Sequence, residues 1–147
     1  MLGRREGGIV TMHKLGSVMV CLAVVAGASW AQEPEDAAQT AAEAWLELVD
    51  NEQYEESWEQ AAELFKRAVT KEQWQQAASG VRKPLGPLVS RKLKSRQYKE
   101  QLPGAPDGQY VLIQFDAVFE NKAAAVETVT PMLDPDGTWR VSGYYIR

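Results

Sequence analysis

The sequence has almost none of the side chains on which most enzyme chemistry depends. Its 147 residues include a single cysteine, Cys21, and a single histidine, His13, and both precede residue 32. Without them, residues 32–147 cannot form a disulfide, a thiol nucleophile, a Ser-His-Asp triad or a zinc site of the usual ligands. Only carboxylates, lysine, tyrosine, serine and threonine remain for proton transfer or covalent work. We therefore assign no catalytic residue, no metal ligand and no cofactor, and favour a function other than catalysis.

The sequence also lacks a hydrophobic run long enough for a transmembrane helix, which needs about 20 apolar residues. A shorter apolar stretch, residues 15–27, follows Lys14 and precedes small residues that end at Ala31. This three-part pattern predicts a cleaved signal peptide over residues 1–31, with Met12 as a possible true start. We therefore expect a periplasmic or secreted protein that keeps no stable membrane insertion after cleavage.

The charge of the chain is modest and unevenly distributed. The formal net charge is −4, which argues against a nucleic-acid partner. Residues 33–63 contain no basic side chain, whereas residues 66–99 are strongly basic and contain one acid, Glu72. This asymmetry is typical of acidic helices that lie beside a basic element. The alternative is a basic stripe that binds an anionic ligand or an envelope polymer.

Hydrophobic residues at three-and-four spacing predict three helices in the first part of the chain. The first ends near Asp50, and the second runs without interruption from Tyr54 to Val69. Thr70 is a suitable N-cap for the third helix, because Gln73 completes a capping box. The residues predicted to face the core from the third helix are Trp74, Ala77, Ala78 and Val81.

After Gly86 the periodicity changes from helical to alternating, which predicts four strands in an antiparallel meander. Helices followed by strands imply an α+β fold, with three N-terminal helices packed on a four-stranded curved antiparallel sheet. We expect one domain over residues 37–147, after a short polar leader over residues 32–36. In the first strand, one face is predicted to be exposed and to carry Lys92, Lys94 and Arg96. The opposite face is predicted to carry Arg91, Leu93 and Ser95. In the second, the predicted inward residues are Val111, Ile113, Phe115, Ala117 and Phe119.

Short motifs spread along the chain resemble a single protein family. They include Val69-Thr70, Pro84-Leu85-Gly86, Pro106-Asp107-Gly108, Asp136-Gly137 and Trp139-Arg140-Val141. On these motifs the chain resembles a secreted bacterial family of unknown function, DUF4019, and the resemblance brings no established activity. The order of elements is also similar to the NTF2-like and cystatin-like folds. That resemblance implies a cone-shaped sheet with a pocket, a fold on which both enzymes and binding modules occur.

Two arginines are the main candidates for ligand binding. Arg82 and Arg91 flank the turn at residues 84–86 and could form an anion-binding mouth, because guanidinium groups bind carboxylate and phosphate in bidentate fashion. In the structural alternative, Arg82 meets the carbonyl end of its own helix and Arg91 pairs with an acidic helix residue. We add Tyr110 and Tyr145 as candidate pocket residues, although cross-strand packing explains tyrosines at such positions equally well.

Three functions remain open from the sequence. The first is an exported, non-catalytic binding module for a small ligand in the helix–sheet pocket or for a protein partner, including an envelope protein or a second copy of the chain. The second is a weak NTF2-like enzyme that uses Asp116 or Glu127 with a tyrosine. The third is an envelope-associated module that docks on an anionic polymer through the basic strand that contains Lys92, Lys94 and Arg96.

Overall fold

The computed structural model describes residues 32–147. The predicted signal peptide over residues 1–31 lies outside the described residues. The described chain forms four helices and then four strands: α1 (Pro34–Asp50), α2 (Tyr54–Glu59), α3 (Glu63–Ala68), α4 (Lys71–Leu85), β1 (Leu88–Lys99), β2 (Tyr110–Phe119), β3 (Lys122–Leu133) and β4 (Trp139–Ile146). Within this part of the chain, no helix combines the length and the apolar character that crossing a membrane requires.

The four strands form one open antiparallel sheet in sequence order. All five residues of β2 that we predict to face inward are buried, which confirms the alternation from Val111 to Phe119. Helix α1 contacts all four strands and buries one stripe against them, consisting of Ala38, Ala42, Trp45, Leu46 and Val49. The α+β fold and its antiparallel meander are therefore confirmed.

An aromatic cluster fills the space between the helices and the sheet. The rings of Trp45, Phe65, Trp74 and Tyr144 lie with neighbouring centroids 5.1–6.3 Å apart. Ser57 satisfies both buried indoles, because its carbonyl accepts from Nε1 of Trp45 at 2.7 Å and its hydroxyl accepts from Nε1 of Trp74 at 2.9 Å. These bonds allow the polar edges of two tryptophans to be buried at little cost.

The second predicted helix is two helices, so the predicted count of three is wrong for this part of the chain. Helix α2 ends at Glu59 and α3 begins at Glu63. Between them the backbone N–H of Ala62 donates to the carbonyl of Val141 in β4 at 2.8 Å. Because this bond to the sheet replaces a bond within the helix, the chain breaks although alanine itself favours helix.

Strand β1 does not alternate regularly, which corrects the predicted basic face. A bulge shifts the register between Leu93 and Ser95, so that Arg96 is paired with the buried Ile113. Directly paired residues share a face of the sheet, and Arg96 accordingly points toward α1, where it forms an ion pair with Asp36. Lys94 stays on the opposite face. The extra residue of the bulge therefore places Arg96 on the opposite face of β1 from Lys92 and Lys94.

Helix α4 begins as predicted and buries a different residue near its end. Thr70 and Gln73 form both hydrogen bonds of the capping box. Val81, predicted to face the core, is 46% exposed, whereas Arg82 is buried. Arg82 continues the buried row formed by Trp74 and Ala78 at intervals of four residues. A charged group thus occupies a core position.

Candidate functional site

Three charged side chains meet where α1 and α4 end. Asp50, the last residue of α1, accepts a hydrogen bond on Oδ1 from NH2 of Arg82 at 2.7 Å. Arg91 of β1 donates to the same carboxylate twice, from NH1 to Oδ2 at 2.7 Å and from NH2 to Oδ1 at 2.9 Å. The structure thus brings the two predicted arginines together on one acidic helix residue. Arg82 binds this carboxylate rather than a carbonyl at the end of its own helix.

Arg91 also connects Asp50 to the middle of the sheet. It is paired with Ala117 of β2, and its Nε donates to Oε1 of Glu127 in β3 at 2.7 Å. The small side chain of Ala117 leaves room for Arg91 to cross β2. The other oxygen of Glu127 accepts from the hydroxyl of Tyr144 at 2.6 Å. We call Asp50, Arg82, Arg91, Glu127 and Tyr144 the arginine–carboxylate network.

The charges of this network balance, with two arginines facing two carboxylates. Burial acts to raise the pKa of Asp50, but hydrogen bonds and charge attraction from Arg91 and Arg82 outweigh it and hold that pKa below its ordinary value of 3.8. Burial and the neighbouring carboxylate of Glu127 both raise the pKa of Tyr144 above its usual range, so its phenol remains a hydrogen-bond donor. All three nitrogens of Arg91 donate within the network. Each guanidinium nitrogen of Arg91 therefore has at least one acceptor within the protein.

Arg82 differs from Arg91 because part of its guanidinium is unsatisfied. The residue is only 6% exposed, yet Nε and NH1 have no hydrogen-bond partner among residues 32–147. The guanidinium carbon lies 4.9 Å from the ring centroid of Phe119, which gives it a cation–π contact but no acceptor. The hydroxyl of Tyr54 is also buried and unpartnered in the described part of the chain. Unsatisfied buried polar groups cost free energy, so these atoms are a local cost that the described chain itself does not offset.

Both unsatisfied side chains line one cleft, with a volume of about 380 Å³. The end of α1 and its following turn, Tyr54 of α2, and the end of α4 with Gly86 and Pro87 form its walls. Glu52 lines this cleft in the left-handed region at φ 58°, where a residue with a Cβ costs about 1–2 kcal/mol. The strain follows from a Schellman ending of α1, in which the N–H of Gln53 donates to the carbonyl of Leu48 at 2.8 Å.

The two tyrosines that we predict as site residues lie away from this cleft. Tyr110, at the start of β2, is buried, and its hydroxyl donates to the carbonyl of Pro106 at 2.6 Å. Its strand neighbour is Lys99, whereas Arg91 is paired with Ala117 at the other end of β2. Tyr145 is 54% exposed on the sheet face opposite Tyr144. The structure therefore unites Arg82 and Arg91 but neither predicted tyrosine with them.

The two carboxylates considered for catalysis also lie apart. Glu127 is paired with the buried Phe115 and faces the core, whereas Asp116 is paired with Lys92 and faces outward. Side chains on opposite faces of a sheet cannot share a proton directly. Within residues 32–147, no group of three His, Cys, Asp or Glu side chains could hold a metal ion.

A comparison with protein families gives one match that spans most of the described chain. The family model described as "Protein of unknown function (DUF4019)" matches residues 41–144. This range includes all five residues of the arginine–carboxylate network. The chain belongs to this family. No curated protein and no solved structure matches it. The description of DUF4019 states no activity, so only the residues of the cleft indicate a function.

Two residues of this DUF4019 chain that matter most for the cleft did not stand out in the sequence. Asp50 reads as the polar end of a helix, because its arginine partners lie 32 and 41 positions away. Tyr54 reads as an ordinary core residue of α2. One signal was present: Trp74, Ala78 and Arg82 fall at helical spacing, which places an arginine on a buried face and calls for an acidic partner.

Proposed function

We propose that the protein is an exported, non-catalytic binding module that holds a small ligand in the cleft beside Arg82. The observation that carries this proposal is a cleft whose lining includes Arg82 and Tyr54, two residues with buried polar atoms that bond to no residue of the described chain. The cleft volume of about 380 Å³ falls within the usual range of small-molecule sites, about 300–1,000 Å³.

Asp50 and Tyr54, two titratable residues that line the cleft, are poorly suited to proton transfer, which favours binding over catalysis. Asp50 is partly buried and is held ionised by two arginines. Burial and the charge of Glu52 raise the pKa of Tyr54, which makes its phenol a donor rather than a base. A general base works best with a pKa near the operating pH, and neither group meets that condition.

We place the domain among the NTF2-like and cystatin-like folds as part of the same proposal. Its helices come first, pack against one face of an open antiparallel sheet, and leave a cleft where helix ends meet β1. Export is proposed from the signal-peptide pattern of residues 1–31, and the mass of the denatured protein tests it through the cleavage after Ala31.

Native mass spectrometry of protein expressed with its own signal tests the binding function. Protein purified gently from the exported fraction is expected to carry a small non-covalent adduct. Lys83→Gln is the sharpest variant, because Lys83 lines the cleft and is exposed, so the change should leave the fold intact. Lys99→Gln is the matched control, since Lys99 is exposed at the end of β1 and does not line the cleft.

The adduct should be retained in the Lys99→Gln protein and reduced in the Lys83→Gln protein. A bare monomer in repeated preparations would contradict a ligand-binding function and favour a protein partner instead. A bare dimer would identify that partner as a second copy of the chain.

A further inference from the structure

Two accessible charges of opposite sign line the cleft beside Arg82. Lys83 belongs to the last turn of α4, and Glu52 follows the end of α1 by two positions. Both residues are exposed, and both line the cleft. The ion pairs within residues 32–147 include neither of them. A ligand in the cleft therefore meets one cation and one anion that the described chain leaves unpaired.

The charges behind these two residues cancel. The arginine–carboxylate network holds two arginines against two carboxylates through its own ion pairs. It therefore contributes no net charge to the cleft. The charge pattern that a ligand experiences is determined mainly by Lys83 and Glu52, together with the helix ends beside them.

The two helix ends give the cleft a positive and a negative side. The C-terminus of a helix carries a partial negative charge and stabilises cations. In α4 the last turn contains Arg82 and Lys83, which compensate this charge, whereas the last turn of α1 contains no basic residue. Burial and then the charge of Glu52 raise the pKa of Tyr54, so the Glu52 carboxylate acts on the cleft wall. The α1 side therefore suits an ammonium group, and Lys83 on the α4 side suits a carboxylate.

The strained backbone of Glu52 is consistent with a role of its carboxylate in binding. Its φ of 58° lies in the left-handed region, where a side chain is strained and glycine is not. Strained residues persist where the surrounding structure holds them, and they are concentrated at ligand and active sites. A function in the cleft accounts for a residue that costs stability at this position.

We propose that the cleft binds a zwitterionic ligand, such as a free amino acid, with its carboxylate at Lys83 and its ammonium group at Glu52. This inference rests on the proposed ligand-binding function and names the ligand class of that site. It differs from the anion-binding mouth expected from Arg82 and Arg91, because Asp50 already binds both guanidinium groups. A zwitterion matches both exposed charges of the cleft, whereas an anion or a cation matches only one.

Titration with three probes that share one apolar side chain tests the proposal. At neutral pH leucine carries both charges, isocaproate carries only the carboxylate, and isopentylamine carries only the ammonium group. Uniformly ¹⁵N-labelled protein is titrated with each probe, and the backbone amide signals of Asn51, Lys83 and Gly86 report binding in the cleft. Because each analogue lacks one exposed ion pair, leucine should bind at least about threefold more tightly than either of them.

Charge-removing variants assign each end of the ligand. Lys83→Gln should weaken the binding of leucine and isocaproate and leave that of isopentylamine unchanged. Glu52→Gln should weaken the binding of leucine and isopentylamine and leave that of isocaproate unchanged. Lys99→Gln and Glu72→Gln are the matched controls, because both residues are exposed and neither lines the cleft. The controls should leave all three affinities unchanged.

The inference and the proposed function can fail separately in these measurements. If either analogue binds in the cleft as tightly as leucine, or if leucine binding is insensitive to Glu52→Gln, the zwitterion inference is overturned and the ligand-binding function stands. The inference is also overturned if leucine shifts none of the cleft signals at concentrations on the order of 50 mM, above the millimolar range of weak ligands. Native mass spectrometry then decides the proposed function by itself. An adduct that Lys83→Gln reduces supports that function, whereas a bare monomer contradicts it as well.

Discussion

Tyr144 lies diagonally across β4 and β3 from Glu127, and its hydroxyl donates a hydrogen bond of 2.6 Å to Oε2 of that carboxylate. Glu127 is fully buried, so Tyr144→Phe leaves one of its charged oxygens without this donor. Hydrogen bonds to charged groups contribute about 1.5–3 kcal/mol, and we expect the free energy of unfolding to fall by roughly that amount.

Urea denaturation of Tyr144→Phe and Tyr145→Phe measures this contribution against a neighbouring control. Tyr145 is exposed on the other face, so its variant should stay within about 0.5 kcal/mol of the unmodified protein. Equal losses in the two variants would show that the bond to Glu127 has no stabilising effect.

Asp50 is expected to govern part of the acid dependence of stability. Its pKa in the folded protein lies below the ordinary value of 3.8, so the unfolded state takes up a proton first as the pH falls. The stabilisation is therefore fully present above the unfolded pKa and is lost as the pH falls through the folded pKa. Removal of one partner from a buried ion pair costs about 3–5 kcal/mol, and Asp50→Asn should approach that loss at neutral pH.

Urea denaturation of the unmodified protein and Asp50→Asn at neutral pH and at pH about 3 checks both parts of this prediction. The difference in unfolding free energy should be large at neutral pH and smaller at the acidic value. Asp116→Asn, at an exposed outer-face position, is the control and should change stability little. A pH-independent difference for Asp50→Asn would contradict the expected linkage.

Glu52→Gly is expected to stabilise the fold. Glycine adopts φ 58° without the clash that a Cβ creates, and the change also removes a negative charge from the C-terminal end of α1. The gain should be about 0.5–1 kcal/mol, because the greater freedom of glycine in the unfolded chain offsets part of the relieved strain.

Thermal unfolding separates the two contributions when Glu52→Gln is measured alongside. Glutamine removes the charge but keeps the Cβ, so this variant should gain less than Glu52→Gly. A lower midpoint for Glu52→Gly than for the unmodified protein would show that the left-handed residue at the cleft is not strained.

Ser57→Ala is expected to destabilise the aromatic cluster through a hydrogen bond rather than through volume. The change removes the acceptor for Nε1 of the buried Trp74, which leaves an indole N–H unsatisfied in the core. The cost of such an unpaired group is about 1–3 kcal/mol. Ser79→Ala is the matched control, because its hydroxyl bonds only to the carbonyl of Gln76 on an exposed part of α4.

Both alanine variants gain helix propensity, so their difference in urea denaturation isolates the bond to Trp74. The near-ultraviolet circular dichroism of the tryptophans should change in Ser57→Ala alone. Similar stabilities for the two variants would contradict the importance of this bond.

Local patterns predicted those parts of the fold that local interactions determine. The alternation in β2 reflects one buried face, and the pair Thr70 and Gln73 caps a helix within four residues. The break between α2 and α3 could not be read from residues 60–62, because the carbonyl of Val141 in β4 causes it. The alanines there favour helix, and a distant strand overrides that preference.

The sequence predicted the two arginines of the candidate site and, as one alternative, an acidic helix partner for Arg91, but not the identity of that partner or its second bond to Arg82. Arg82 and Arg91 are recognisable in the sequence because both lie near one turn. Their contact with the common partner Asp50 depends on how α1 packs against the sheet. The distinction between Arg91, whose guanidinium nitrogens all have acceptors, and the partly unsatisfied Arg82 depends on single atoms. Whether each of these atoms has a partner depends on the packing of side chains that are distant in the sequence.

The bulge in β1 has a consequence for which changes in chain length the domain can tolerate. Lys94 is the extra residue between the pairs Leu93–Phe115 and Ser95–Gln114. Its deletion would restore regular pairing while Arg91 and Arg96 both keep pointing toward the helices. Deletion of a residue from the regular segment at 96–98 would instead turn the side chains beyond it to the other face. Within this strand, position 94 is therefore a place where one residue can be lost without disturbing the ion pairs on either side.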